Sequence, residues 1–251
     1  MPRFKDQAIC VREIDWSETS QVVGLLTEQH GKVRGIAKGS KRTSPSSTQR
    51  FSGGIELLTL GQVVANTNPS ADLATLTEWD LQNDHFGLRR NLPAQQKAMY
   101  AADLSSAMLA DDDPHPRTFH ALRLFLETLT ESEDPDTDTT LALLRFQWQV
   151  LDDCGYNPRL DTNLRNRSVL GDEATYSFDP GSGGLTSESQ PNDWRVRRQT
   201  VVILRAIQNG ESIDSNQNKS IMRANRLLCC YARYILDREL PTMKIILEPP
   251  R

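Results

Sequence analysis

A chain of 251 residues, 37% hydrophobic and 25% charged, has room for one large domain or two ordinary ones and enough apolar content to bury a core. No apolar run approaches the roughly 18 residues of a membrane span, and charges interrupt the first thirty residues where a signal peptide needs an unbroken apolar stretch, so no membrane role and a cytosolic location are expected. The formal charge of −4 argues against a uniformly basic binder of polyanions, but it hides how charge is distributed along the chain.

The first eighty residues read as short strands separated by turn-forming residues: Gln7 to Glu13, Gln21 to Glu28, Lys32 to Lys38, Ile55 to Asn66 and Leu73 to Trp79. His30-Gly31 stands between two β-rich runs as a tight turn does, and the stretch from Thr43 to Thr48 is polar enough to be a loop. Five strands in this length predict a small OB-type barrel over residues 1–80. After Asn91 the apolar period lengthens. Pro93 suits the first turn of a helix carrying Tyr100, Leu104 and Met108 at four-residue intervals. A second helix starts near Pro116 with Phe119, Leu122, Leu126 and Leu129 on one face, and a third carries Leu141, Leu144, Trp148 and Leu151 before Gly155 stops it. Between Tyr156 and Asp193 periodicity disappears, and helices are expected again from about Trp194 to Gln208 and from Lys219 to Arg238. The predicted class is α+β: a barrel over 1–80, then an all-α domain over 81–251 interrupted by an irregular insertion at about 156–193.

Charge is segregated along this order. From His30 to Arg50 there are six cations (Lys32, Arg34, Lys38, Lys41, Arg42 and Arg50) and no carboxylate. Asp111 to Thr139 carries nine acids against two arginines, and Arg195 to Arg238 nine cations against three acids. Strand alternation puts Lys32, Arg34 and Lys38 on one face, with Val33 and Ala37 on the other, and delivers the chain to a loop bearing Lys41, Arg42 and Arg50. Six cations in twenty-one residues suit salt-sensitive phosphate binding. From charge alone a merely solvated strand fits as well. Aromatic stacking partners are sparse, Phe4, Trp16 and Phe51 being the nearest.

Nothing points to catalysis. The acidic run Asp111-Asp112-Asp113 suggests metal-binding carboxylates, but before Pro114 and Pro116 it reads better as a solvated helix connection, as does the run from Glu131 to Asp136. The four histidines lack ligand or triad spacing, and the glycines of residues 31–39 are not followed by a helical pattern as a dinucleotide fingerprint requires. Cys10, Cys154, Cys229 and Cys230 have no Cys-x-x-Cys spacing and read as reduced core thiols.

The wording of three segments goes further. Ser17-Glu18-Thr19-Ser20, Leu26-Thr27 and the run Gly31-Lys32-Val33-Arg34-Gly35-Ile36-Ala37-Lys38-Gly39 resemble the N-terminal OB domain of RecO recombination mediators. Arg145-Phe146, followed by Gly155-Tyr156-Asn157-Pro158-Arg159-Leu160, is similar to that family's Gly-Tyr-x-Pro-x-Leu signature, and Gly183-Gly184-Leu185 is a weaker match. Many members carry two Cys-x-x-Cys pairs that hold zinc in the insertion. Here Asn163 and Asn166 stand at the first pair and Ser187 and Gln190 at the second, so no zinc and no other cofactor is expected, and packing around Tyr156, Tyr176 and Phe178 is left to hold the insertion.

The resemblance implies a non-enzymatic protein of DNA repair and homologous recombination. Such a protein binds single- and double-stranded DNA, anneals complementary strands, and acts with RecR to load RecA onto strands coated by single-strand binding protein. Charge, not the resemblance, nominates the DNA contacts: Lys32, Arg34, Lys38, Lys41, Arg42 and Arg50 in the basic run, with Arg195, Arg197 and Arg198, and Arg223, Arg226 and Arg233, extending them into the helical domain on charge segregation alone. The resemblance also implies capture of the acidic, Phe-ended tail of single-strand binding protein, for which Arg145 beside Phe146 is the first candidate cation. An exposed Arg145 paired with Asp152 or another helix-surface acid fits equally. The alternative from another class is a protein–protein adaptor that itself binds no DNA; a metal-dependent nuclease finds no ligand spacing.

Overall fold

The computed structural model describes residues 2–42, 44–68, 70–131 and 138–248. The chain forms two compact units, Met1–Glu133 and Asp134–Arg251. No described helix is long and apolar enough to cross a membrane.

The first unit is built on five long strands: β1 (Arg3–Ser17), β2 (Ser20–Thr27), β3 (Lys32–Ala37), then, after a short helix α1 (Pro45–Arg50) and a two-residue strand β4 (Phe51–Ser52), β5 (Leu60–Asn66) and β6 (Ala74–Asn83). The order β3-β2-β1-β5-β6 closes on itself because Gly35–Ala37 of β3 pair in parallel with Ala74–Leu76 of β6. This is an OB-like barrel, and closure removes free sheet edges over that stretch. β1 serves two neighbours. Its first half pairs with β5 and its second with β2, and a register shift between Cys10 and Arg12 bends it from one to the other. Alternate residues point inward: Ala8 and Cys10, Val23 and Leu25, Val33 and Ala37, Val63 and Ala65, with Leu76 and Trp79, make the core. Gly35 lies where a Cβ would collide with Leu76, so the parallel closure depends on its missing side chain. Burial pushes the Cys10 thiol up to about 12, as befits a reduced core residue.

Two expectations for this unit need correction. Ile55–Thr59 is an irregular segment and not part of a strand: Leu58 takes φ of 68° and its N–H donates to the Cys10 carbonyl, satisfying the backbone without a ladder. The polar loop after Lys41 contains α1, with Pro45 in its first turn; Thr43 lies outside the described residues.

The barrel is followed by a 3-10 turn (Phe86–Arg90) and two helices, α2 (Leu92–Met108) and α3 (Pro116–Glu131). Asn91 caps α2 by accepting from the Ala94 N–H at 3.1 Å. Tyr100 and Leu104 of α2, and the predicted stripe Phe119, Leu122, Leu126 and Leu129 of α3, are buried. The acidic run at 132–136 lies outside the described residues.

In the second unit α4 (Asp138–Asp153) packs on α6 (Asn218–Leu236), and buried Gln147 donates to Asn225 at 2.6 Å between them. Between them in sequence lie β7 (Thr175–Asp179), β8 (Gly184–Thr186), β9 (Trp194–Arg197) and α5 (Arg198–Gln208); the short α7 (Lys244–Leu247) follows α6. The insertion expected to be irregular therefore contains a three-stranded antiparallel sheet, order β8-β7-β9. Trp194–Arg197 is a strand and the helix begins only at Arg198, because Tyr176 and Phe178 of β7 pair with Val196 and Trp194. Tyr176 and Phe178 are buried as expected, whereas Tyr156 is exposed and contributes no core.

Candidate nucleic-acid interface

On β3 the pleat turns Val33 and Ala37 into the core, while Arg34 and then Lys38 face solvent. Lys32 points to the same side as Arg34 but is largely covered. Its Nζ donates to the carbonyls of Ser106 at 2.6 Å and Leu109 at 2.7 Å, at the C-terminal end of α2 where helix carbonyls lack intrahelical partners. Asp111 completes the arrangement: its Oδ1 lies 3.2 Å from Lys32 Nζ and its Oδ2 3.2 Å from Arg34 Nε. Asp111 also bridges Lys32 in parallel, and the Asp112 N–H donates to the Lys32 carbonyl at 3.0 Å. The acidic connection is thus a strap along the half of β3 that β6 leaves unpaired. Gly31, at φ of 72°, sits where a Cβ would collide with the Asp113 backbone, so the turn admits the strap only because it is glycine.

The remaining cations of the segment are more available. Lys41 is ion-paired with Asp15, and its backbone N–H donates to the Thr19 carbonyl. Lys38 and Arg42 are exposed and have no carboxylate partner among the described residues. Arg50, also exposed, stands 5.9 Å from the Phe51 ring centroid. With Lys5 it lines an open cleft of about 460 Å³ that also holds Glu78 and Asp80. Lys5 was not singled out in the sequence; it lies outside the basic run and joins Arg50 only because β1, β5, β6 and β4 lie side by side in the sheet.

In the second unit Arg195 and Arg197 are exposed on β9, and Arg198 pairs with Asp172 at 2.6 Å. Arg145 is exposed on α4, whereas Phe146 is 1% exposed, inside the core, and shapes the helix from within. Sequence reasoning groups these residues by charge; the structure brings together Lys32 with Arg34, and Arg195 with Arg197.

Two family models match the chain: the N-terminal model of recombination protein O over residues 1–84 and the C-terminal model over residues 90–244. The chain belongs to the RecO family. It is 33% identical over 183 residues to the DNA repair protein RecO of Anaeromyxobacter sp. strain Fw109-5, covering 73% of this chain and 68% of that one. It is 29% identical over 255 residues to the DNA repair protein RecO of Myxococcus xanthus, covering 99% and 98%. RecO proteins are recombination mediators and not enzymes, and a DNA repair and recombination role follows from membership.

The zinc ligands found in many RecO proteins are replaced here by groups that do not suit the metal. Asn163, 3% exposed, donates from Nδ2 to Ser187 Oγ at 2.6 Å and accepts the Arg165 N–H on Oδ1 at 2.9 Å. Asn166 accepts the Ser168 N–H and hydroxyl. Arg165 reaches Asp193 at 3.2 Å and Glu188 at 3.5 Å. An amide N–H aimed at a hydroxyl presents no lone pair to a cation, and no group of three or more His, Cys, Asp or Glu among the described residues is placed to hold a metal. In this RecO chain a polar network occupies the corresponding positions.

Proposed function

We propose that the chain binds single-stranded DNA on its barrel, anneals complementary strands, and with RecR helps load RecA onto strands coated by single-strand binding protein, in the cytoplasm at the nucleoid. The observation that carries this reading is the set Lys38, Arg42 and Arg50: exposed cations without carboxylate partners among the described residues, on an OB-like barrel of the RecO family. Such cations contact phosphates and read no sequence, as a mediator acting on any strand requires. Lys41, shared with Asp15, adds less. Lys32 and Arg34 add least, because Asp111 already offsets both. Screening phosphate charge on two strands lets them approach and pair, so annealing needs no chemical step. Double-stranded DNA engages the same phosphate contacts.

Arg195, Arg197 and Arg198 offer phosphate contacts of the second unit's own. Arg145 is proposed to receive the terminal carboxylate of the single-strand binding protein tail, with Phe146 holding the helix beneath it. Unchanged tail-peptide affinity in Arg145→Glu would remove that assignment. The central test is fluorescence anisotropy of labelled oligo-dT titrated at two salt concentrations beside the same strand made duplex. Binding that weakens with salt and ignores sequence supports the proposal; absence of binding at low salt leaves the adaptor reading in its place.

A further inference from the structure

The second unit carries a concentration of positive charge that the barrel site does not use. β9 and α6 enclose a groove of about 340 Å³ lined by Trp194, Arg195, Arg197, Arg223, Arg226 and Arg233. The pleat of β9 buries Val196 and sends Arg195 and Arg197 to the same side, about 7 Å apart. On α6 the spacing i, i+3, i+10 places Arg223, Arg226 and Arg233 along one face over about 15 Å. Arg233 meets Glu239 at 3.0 Å; the other four have no carboxylate within ion-pair distance among the described residues.

Like charges gathered in one groove with a single counter-charge, Glu239, repel one another in the free protein, and a polyanion relieves that repulsion. Three features decide which polyanion. The cations form two short rows, which suits a linear ligand. All five are arginines, whose planar fork grips phosphate oxygens in pairs, and none is a lysine. Trp194 lines the groove half-buried, its ring stacked on Phe178 at 5.7 Å and nearly perpendicular to the ring of Tyr234, which is itself exposed. A rigidly backed indole offers a base a stacking surface that tolerates any sequence. The floor is neutral: Leu227 is buried, and burial raises the Cys230 thiol pKa despite the nearby Arg233 and Arg226.

We infer that this groove is a second single-strand site, independent of the barrel, that takes the phosphates of one strand on its arginine rows and a base on Trp194. The inference rests on the reading of the chain as a strand binder and adds that one copy engages two strands, one per unit. Annealing then does not require two copies to meet.

The test is a stoichiometric anisotropy titration of the full chain at low salt with a labelled non-self-complementary oligonucleotide of about ten nucleotides, within the site size of one barrel. The expected result is two strands per chain for the native protein and one for R223E/R226E, with the affinity of the remaining site unchanged. R223Q/R226Q, which removes charge without reversing it, is expected to weaken the second site at least tenfold; its thermal melt, matching the native one, shows the fold kept. One strand per native chain overturns the inference and leaves the barrel reading standing, whereas no strand at all overturns both. Two strands retained by both variants overturns it as well. So does displacement of the second strand by poly-glutamate at lower concentration than by unlabelled oligo-dT, which would assign the groove to an acidic peptide.

Discussion

Lys32 and Lys38 are six residues apart on one basic run, and the structure gives them opposite duties. Lys32 is tied to two carbonyls and a carboxylate, so truncating it leaves helix-end acceptors and Asp111 unsatisfied; Lys32→Met is expected to cost roughly 1–3 kcal/mol in urea denaturation. Lys38→Ala is expected to leave stability unchanged and to weaken oligo-dT binding. Asp111→Asn separates the two roles again. It removes the charge that offsets Arg34 while keeping the strap's backbone bonds, so affinity for oligo-dT should rise a few-fold; lower affinity would show that the strap presents these cations and does not mask them. His85 supplies a pH-dependent counterpart. It is buried, and its Nδ1 meets the Leu58 carbonyl at 2.6 Å. Burial first of all lowers its pKa, outweighing the Leu58 bond, Glu127 and Asp84, which raise it, while Arg123 also lowers it. A lowered folded pKa means that the unfolded chain binds the proton more tightly. The stability His85 contributes is present above the ordinary imidazole range and is lost as pH falls through that range towards the folded value. Urea midpoints should decline on the acid side, and His85→Asn, which tolerates the left-handed backbone at φ of 46°, should flatten the decline.

At the level of elements the insertion sheet is packed by aromatic rings and closed by polar pairs. Phe178, 0% exposed, stacks on Trp194 and meets the edge of Tyr231 at 5.2 Å, while Asn163–Ser187 and Arg165–Asp193 close the other side. Chelators are therefore expected to leave the melting temperature unchanged, and Phe178→Ala to cost about 3–5 kcal/mol. A chelator-induced fall in melting temperature would mean that metal contributes after all. Tyr176 and Phe178 of this core were visible in the sequence, but Tyr156 was wrongly counted with them, Trp194 and Tyr231 were not counted, and the sheet was not seen. Strands of three to five residues are too short to show alternation, and β7 becomes a strand by pairing with β8 and β9, the latter reached across the chain. The same limit explains Ile55–Thr59, whose apolar residues mimic a strand although Leu58 turns away in the left-handed region. By contrast, β2, β3 and the stripes of α3 and α4 were legible, because period and burial agree along a single element. Site chemistry divides in the same way. The basic run was plain in the order of residues, but the Asp111 strap joins positions 79 residues apart in sequence from Lys32, and the clustering of Arg223 and Arg226 with β9 exists only once α6 packs.

Across the whole molecule a net charge of −4 coexists with two local concentrations of cations, because charge is unevenly spread: nine acids fall between Asp111 and Thr139, and of these Asp111 reaches the basic run, at Lys32 and Arg34. Net charge sets solubility and the long-range field, whereas a bound strand feels mainly the cations within a Debye length, about 10 Å at 0.1 M salt. An acidic protein can bind DNA under these conditions provided its free cations are grouped, and the number that are free sets the salt dependence. For single strands the slope of log K against log salt is about −0.7 per phosphate neutralised, so Lys38, Arg42 and Arg50 together predict about −2 for the barrel. All six cations of the basic run would predict about −4. The measurement is made on R223E/R226E, so that only the barrel is read. A slope near −2 that flattens when Lys38, Arg42 and Arg50 are changed to glutamine identifies the unpaired cations as the contact. A slope near −4 would mean that the strand displaces Asp111 and Asp15 and recruits Lys32, Arg34 and Lys41, and Asp111→Asn should then strengthen binding without changing the slope.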